Sequence, residues 1–158
     1  MKSRFVMASA AIAVIAALAF GGTTLASHNT GSPRKALFST LTGHNELSMS
    51  TLHKNAGDLD GLGAANVLIA NSTTVCFGIS VSRIGTPIAA HIHRGRSNQN
   101  GPIVVSLDPP TNGNPGASSG CKSGLSSSLV RDIRRHSNQF YVNVHTSAFP
   151  GGAIRGQL

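Results

Sequence analysis

The chain has 158 residues and a formal charge of +8, from 13 Lys and Arg against 5 Asp and Glu. That length suits one domain with a real core, and the basic excess would favour acidic glycans, anionic wall or lipid, or nucleic acid. The cations are scattered, however. Only "RDIRR" at Arg131 to Arg135 is a local cluster, without the interleaved aromatics of a single-strand binder, which argues against a nucleic-acid partner.

In chain order, Lys2 and Arg4 precede an apolar stretch from Phe5 to Phe20, followed by Gly21, Gly22 and "TTLAS". This is the layout of a secretory signal, with the cut expected after Ala26. The Ala-rich stretch falls short of the roughly 20 residues a spanning helix needs, no cysteine follows the cut to carry a lipid, and "RGQL" lacks an anchoring tail. The expectation is a signal over residues 1–26, a linker over 27–34 and one domain over 35–158. The protein would be secreted or associated with the cell envelope, with no stable membrane anchor after cleavage. Without Lys2 and Arg4 the formal charge falls from +8 to +6.

Beyond the linker, a period of two dominates. "TTVCFGISV" sets Val75, Phe77, Ile79 and Val81 on one face, and "FYVNVHT" sets Phe140, Val142 and Val144 against Tyr141, Asn143 and His145. "ALFSTLT", "ANVLIA", "PIAAHIH", "PIVVSL" and "AIRGQL" are further short strand candidates. "HKNAGDLDGLGAAN" reads as a loop between early strands, and "DPPTNGNPGASSG", from Asp108 to Gly120, as an exposed and mobile one. "SSSLVRDIRRHSN" spaces Leu125, Leu129 and Ile133 four apart behind a Ser126 or Ser127 cap, predicting one short amphipathic helix. The pattern predicts an all-β, mainly antiparallel sandwich or barrel with one helix on an edge or end.

Cys76 and Cys121 are the only cysteines, and in an oxidising compartment a lone pair is most simply read as one disulfide. Closing a loop of about 45 residues would contribute about 3 to 4 kcal/mol on the chain-entropy model.

The chemistry-bearing residues are imidazoles. In "AAHIH" the strand period sends His91 and His93 to one face, about 6.6 Å apart along the strand, where two rings can converge on one ion. His145, which ends the other strongly patterned strand, is the candidate third ligand. Copper or zinc would suit three such nitrogens. A polar cluster bonded to loop carbonyls and a general acid–base site are the other readings of the same residues. Asn143 and Thr146 would orient His145, or bond a turn at the strand end. Arg155 and Gln157 share the polar face of the last strand, so Arg155 would meet the histidine cluster as a further supporting residue or face solvent, and if buried it would need acceptors. His28, His44, His53 and His136 are read as surface residues. No nucleophile elbow, phosphate loop or "HExxH" pattern appears.

"HIHRGRSNQNGPIVVSL" followed by "FYVNVHTSAFPGGAIRGQL" resembles the chordin-type domain, CHRD, and "ALFSTLTGHNEL" is similar to that family's opening strand and turn. The resemblance runs from about Lys35 to Leu158. It implies an immunoglobulin-like or superoxide-dismutase-like β-sandwich, and interaction with an extracellular protein, since chordin sequesters secreted growth factors. The family commonly has a glutamate before "IRGQL", where this chain has Ala153, so no role for that carboxylate carries over and loop carbonyls become the expected partners of Arg155. "HIH" also resembles the copper strand of copper–zinc superoxide dismutase. The loop from Asp108 to Gly120 holds no histidine to stand for that enzyme's zinc loop, which disfavours dismutase activity. The leading expectation is therefore a secreted binding or structural module, with a copper or zinc protein as the alternative. A cell-surface polymer held by the basic surface is a further partner class.

Overall fold

A computed structural model describes residues 34–112 and 114–158. The expected export signal, the linker apart from Arg34, and His28 lie outside the described residues. Eight strands and one α-helix are present among the described residues: β1 (Lys35–Thr42), β2 (Leu62–Ile69), β3 (Val75–Ser82), β4 (Pro87–Arg94), β5 (Ile103–Leu107), β6 (Gly116–Lys122), α1 (Ser127–Arg135), β7 (Phe140–Thr146) and β8 (Ile154–Gln157).

All pairings are antiparallel, in the order β5-β4-β7-β8-β1-β2-β3-β6. β8 meets β1 at a single register pair, Arg155 with Thr42. The sheet turns at that weak seam. Its two halves, β5-β4-β7-β8 and β1-β2-β3-β6, close over one core, and β5 also approaches β6, giving a nearly closed sandwich. The alternation visible in the sequence is what fills it: Leu37, Val67, Phe77, Ile79 and Val81 from one half face Ile92, Val105, Val142, Val144 and Ile154 from the other. Each such side chain contributes about 1.5–3 kcal/mol by leaving water.

α1 starts at the expected place. Ser126 is the N-cap, its hydroxyl accepting from the Leu129 amide, while Arg134 and Arg135 sit in the last turn, where their charge suits the helix dipole. Val130 and Ile133 are buried, and Leu125 and Leu129 pack partly against the same core.

Three local expectations need correction. The Gly/Ser half of the loop from Asp108 to Gly120 is strand: Gly116–Lys122 pairs with β3 along its length, opposing Cys121 to Cys76, and those two residues form the disulfide. Small side chains without apolar alternation conceal a strand whose stability comes from its backbone ladder and that cross-link. β2 likewise begins at Leu62, inside the stretch read as loop, because Leu62, Gly63 and Ala64 pair with both β1 and β3. Finally, β7 is buried on both faces rather than one. Its polar face, with that of β4 and β8, lies under the loops that follow β1, β4 and β7.

Candidate functional site

β4 and β7 are adjacent in the sheet, with Ala89 opposite His145, His91 opposite Asn143 and His93 opposite Tyr141. On the other side of β7, Asn143 faces Arg155 and Tyr141 faces Gln157. The side-chain period therefore places His91, His93, Tyr141, Asn143, His145, Arg155 and Gln157 on one polar face, turned away from the apolar core.

The three histidines meet there. Ring centroids lie 5.5 Å apart for His91 and His93, 5.0 Å for His91 and His145, and 6.1 Å for His93 and His145. One nitrogen from each ring lies within 4.8 Å of the other two. Two loop carbonyls orient the rings. His93 Nδ1 donates to Gly101 O at 2.9 Å, and His145 Nδ1 donates to Pro150 O at 3.0 Å. Each ring is thereby set in the tautomer whose Nε2 carries a lone pair. His145 Nε2 then accepts from His91 Nδ1 at 3.1 Å. His93 Nε2 is buried and has no hydrogen-bond partner among the described residues.

Burial lowers the pKa of all three imidazoles. In His91 desolvation is the largest cause, followed by the charges of His145 and His93, and the value falls to about 4. His93 and His145 are lowered by desolvation, opposed by their bonds to the Gly101 and Pro150 carbonyls. The cluster is neutral at neutral pH.

A second set of contacts supports it. The His93 ring stacks on Tyr141 with centroids 4.8 Å apart and planes 6° from parallel, and the guanidinium carbon of Arg155 lies 3.4 Å from the Tyr141 ring centroid. Arg155, 1% exposed, finds its acceptors in Asn100 Oδ1, Arg96 O and Gln99 O. Gln157 Nε2 donates to loop and strand carbonyls, including Gly95 O at 2.9 Å. Thr146 bonds the following turn, its Oγ1 accepting from the Phe149 amide, and makes no bond to a histidine. Asn143 also has no histidine partner among the described residues, where its buried Oδ1 is unpaired. His44, His53 and His136 are exposed.

Glu46 is the buried residue of this face that the sequence reading passed over. It is 2% exposed, its Oε1 accepts from the Leu47 amide, and its Oε2 has no hydrogen-bond partner among the described residues. Desolvation raises its pKa; the Leu47 amide, the Arg155 charge and the nearby Asn143 amide act against that shift. Only its setting in "GHNEL", a turn directly after a strand, offered a sequence signal.

The CHRD domain family model matches residues 37–158. No curated protein and no solved structure matches the chain. With the family model covering most of the sequence, including both histidine strands and the Arg155 strand, the chain belongs to the CHRD domain family.

Proposed function

We propose that this chain works outside the cytoplasm as a binding module rather than a catalyst, and that the ligand its polar rim suits best is one copper or zinc ion held by His91, His93 and His145. CHRD domains occur in extracellular proteins, and the Cys76–Cys121 bond fits an oxidising compartment.

The observation that carries the reading is the convergence of three imidazole nitrogens within 4.8 Å. An ion bonded tetrahedrally at about 2.0–2.1 Å sets its nitrogens about 3.3–3.4 Å apart, so the rings would close by up to about 1.5 Å. His93 Nε2 and His145 Nε2 offer lone pairs already, and His91 contributes by moving its hydrogen from Nδ1 to Nε2 as the ion replaces the bond to His145. Neutral nitrogen donors suit copper and zinc, whereas calcium and magnesium require oxygen. The rings bond only to each other and to two carbonyls among the described residues. No nucleophile or carboxylate hydrogen-bonds to the rings among the described residues.

Metal analysis of the purified protein, followed by copper and zinc titration, tests this. The expected result is one ion per chain and at least about 100-fold weaker binding in the His91→Ala, His93→Ala double variant, in line with losing two of three ligands. Equal affinity in both proteins rejects the site.

A second reading, attachment to an anionic cell-surface polymer, draws on a different feature. Among the described residues the Lys and Arg ion pairs are Arg94–Asp132 and Lys122–Asp108, which leaves Arg131, Arg134 and Arg135 of α1 without a carboxylate partner. Binding of this kind would disappear at moderate ionic strength and ignore chelators, whereas ion binding at the rim would do the reverse.

A further inference from the structure

We infer that Arg155 is the positioning residue of the histidine rim: it holds the β4–β5 loop so that Gly101 presents its carbonyl to His93, which leaves the opposite nitrogen of that ring aimed into the cluster. The use made of that nitrogen rests on the metal reading above; the positioning itself can be tested without metal.

The argument runs from the loop. Residues 95–102 join β4 to β5, and Arg96, Ser97, Asn98 and Gln99 are all exposed and polar. Nothing apolar ties this stretch down, so hydrogen bonds must offset the entropy of fixing it. The loop makes its own turn through Gln99 N to Arg96 O, and its ends are tied by Arg94 N to Pro102 O and Gly95 N to Gln139 O. Its middle is held from beneath by Arg155, which donates to Arg96 O at 2.9 Å, Gln99 O at 2.7 Å and Asn100 Oδ1 at 3.0 Å. All three acceptors belong to this loop. Gly101 follows at once, its amide donating to the Tyr141 hydroxyl at 3.2 Å and its carbonyl accepting from His93 Nδ1 at 2.9 Å.

The same guanidinium acts through a second route. It packs on the Tyr141 ring, and Tyr141 stacks on His93, so the plane of the imidazole is held as well as its tautomer. Arg155 thus reaches His93 through the carbonyl that fixes the proton and through the ring that fixes the plane. Both routes need a planar, multi-donor fork. A lysine ammonium keeps the charge, but its donors share one nitrogen, so it cannot span acceptors reached here by Nη1 and Nη2 and has no plane to lay on the Tyr141 ring. His145 serves as an internal control, since Pro150 O orients it and Pro150 lies outside this loop.

The test is nitrogen NMR of the histidine rings in metal-free wild type, Arg155→Lys and Asn100→Ala, with copper titration of the same samples. Wild type should show His93 as the single Nδ1–H tautomer. In Arg155→Lys, His93 should become a tautomer mixture, amides of residues 96–100 should exchange faster, His145 should stay unchanged, and copper affinity should fall about 10- to 100-fold. Asn100→Ala, which removes one acceptor of Arg155 together with the Asn100 Nδ2 bonds to Leu47 O and Ser48 O and preserves the buried charge, should shift His93 the same way by less, and decides the matter if the lysine variant does not fold. Folded variants with a wild-type His93 tautomer overturn the inference, as does an equal disturbance of His145, which would signify general loosening. If wild type binds no copper while His93 responds alone, the metal reading fails and the positioning stands.

Discussion

His91 Nδ1 lies 3.1 Å from His145 Nε2, across 54 residues of sequence. The contact exists because β4 and β7 are neighbours and because each strand sends alternate residues to its polar face. It also fixes an order of protons: Pro150 O takes the Nδ1 hydrogen of His145, so the remaining nitrogen of that ring accepts, and His91 must donate. An ion at the proposed site would replace that hydrogen bond.

The metal-free protein should lose stability on acidification. An unfolded histidine takes up a proton near 6.5, whereas the three rim imidazoles are held below that and His91 resists until about 4. Between those values the unfolded chain binds more protons, so this contribution is complete above pH 6.5 and is lost progressively towards pH 4. Glu46, whose pKa is raised from 4.5, works in the opposite sense: it favours the folded state at low pH, and that gain is lost as pH rises through its folded pKa. Asp58, raised by desolvation and by its contact with Asp60, acts in the same sense as Glu46, and three imidazoles against two carboxyls should leave a net loss. The urea midpoint is expected to fall between pH 7 and pH 5, and less steeply in His91→Ala. An unchanged wild-type midpoint would contradict this.

Removing the disulfide should cost stability and spare the rim. Cys76 and Cys121 lie on β3 and β6, in the half-sheet without the histidines, and enclose a separation of 45 residues. The paired Cys76→Ser, Cys121→Ser variant should be destabilised by about 3 to 4 kcal/mol in chemical denaturation. Wherever that variant remains folded, its copper or zinc affinity should match wild type.

Gly101 admits no side chain. A Cβ there would fall directly on the Arg94 carbonyl oxygen, a backbone atom already fixed in the turn between β4 and β5. Gly101→Ala should therefore displace the carbonyl that orients His93, destabilise the fold by about 1–3 kcal/mol and weaken metal binding by at least about tenfold. Thermal melts and titration on one sample check both parts. Wild-type affinity in a destabilised variant would show that the Gly101 carbonyl does not set the ring.

Much of this was legible in the sequence, for physical reasons that also mark where legibility stopped. Val75, Phe77, Ile79 and Val81 alternate because one face of β3 is core, so periodicity found the strand. β6 shows no such alternation, since "GASSGCK" has small residues on both faces and is recruited by backbone pairing. Periodicity placed His91 and His93 on one face, but not β4 beside β7, because strand neighbours are fixed by tertiary pairing. It also could not bury Tyr141, Asn143 and Arg155 on a polar face, which requires loops from three places in the chain to close over them. Glu46 was missed for the same reason: its burial arises from the 43–61 loop folding back, as when Asp58 N donates to Ala153 O at 2.8 Å.

The most direct measurement of the central claim is X-ray absorption of the copper- or zinc-loaded protein, read for the number of imidazole nitrogens around the ion. The rim predicts three histidine nitrogens near 2.0–2.1 Å, falling to one in the His91→Ala, His93→Ala variant under the same loading. A shell made mainly of oxygen, or one unaffected by that double substitution, would contradict the account.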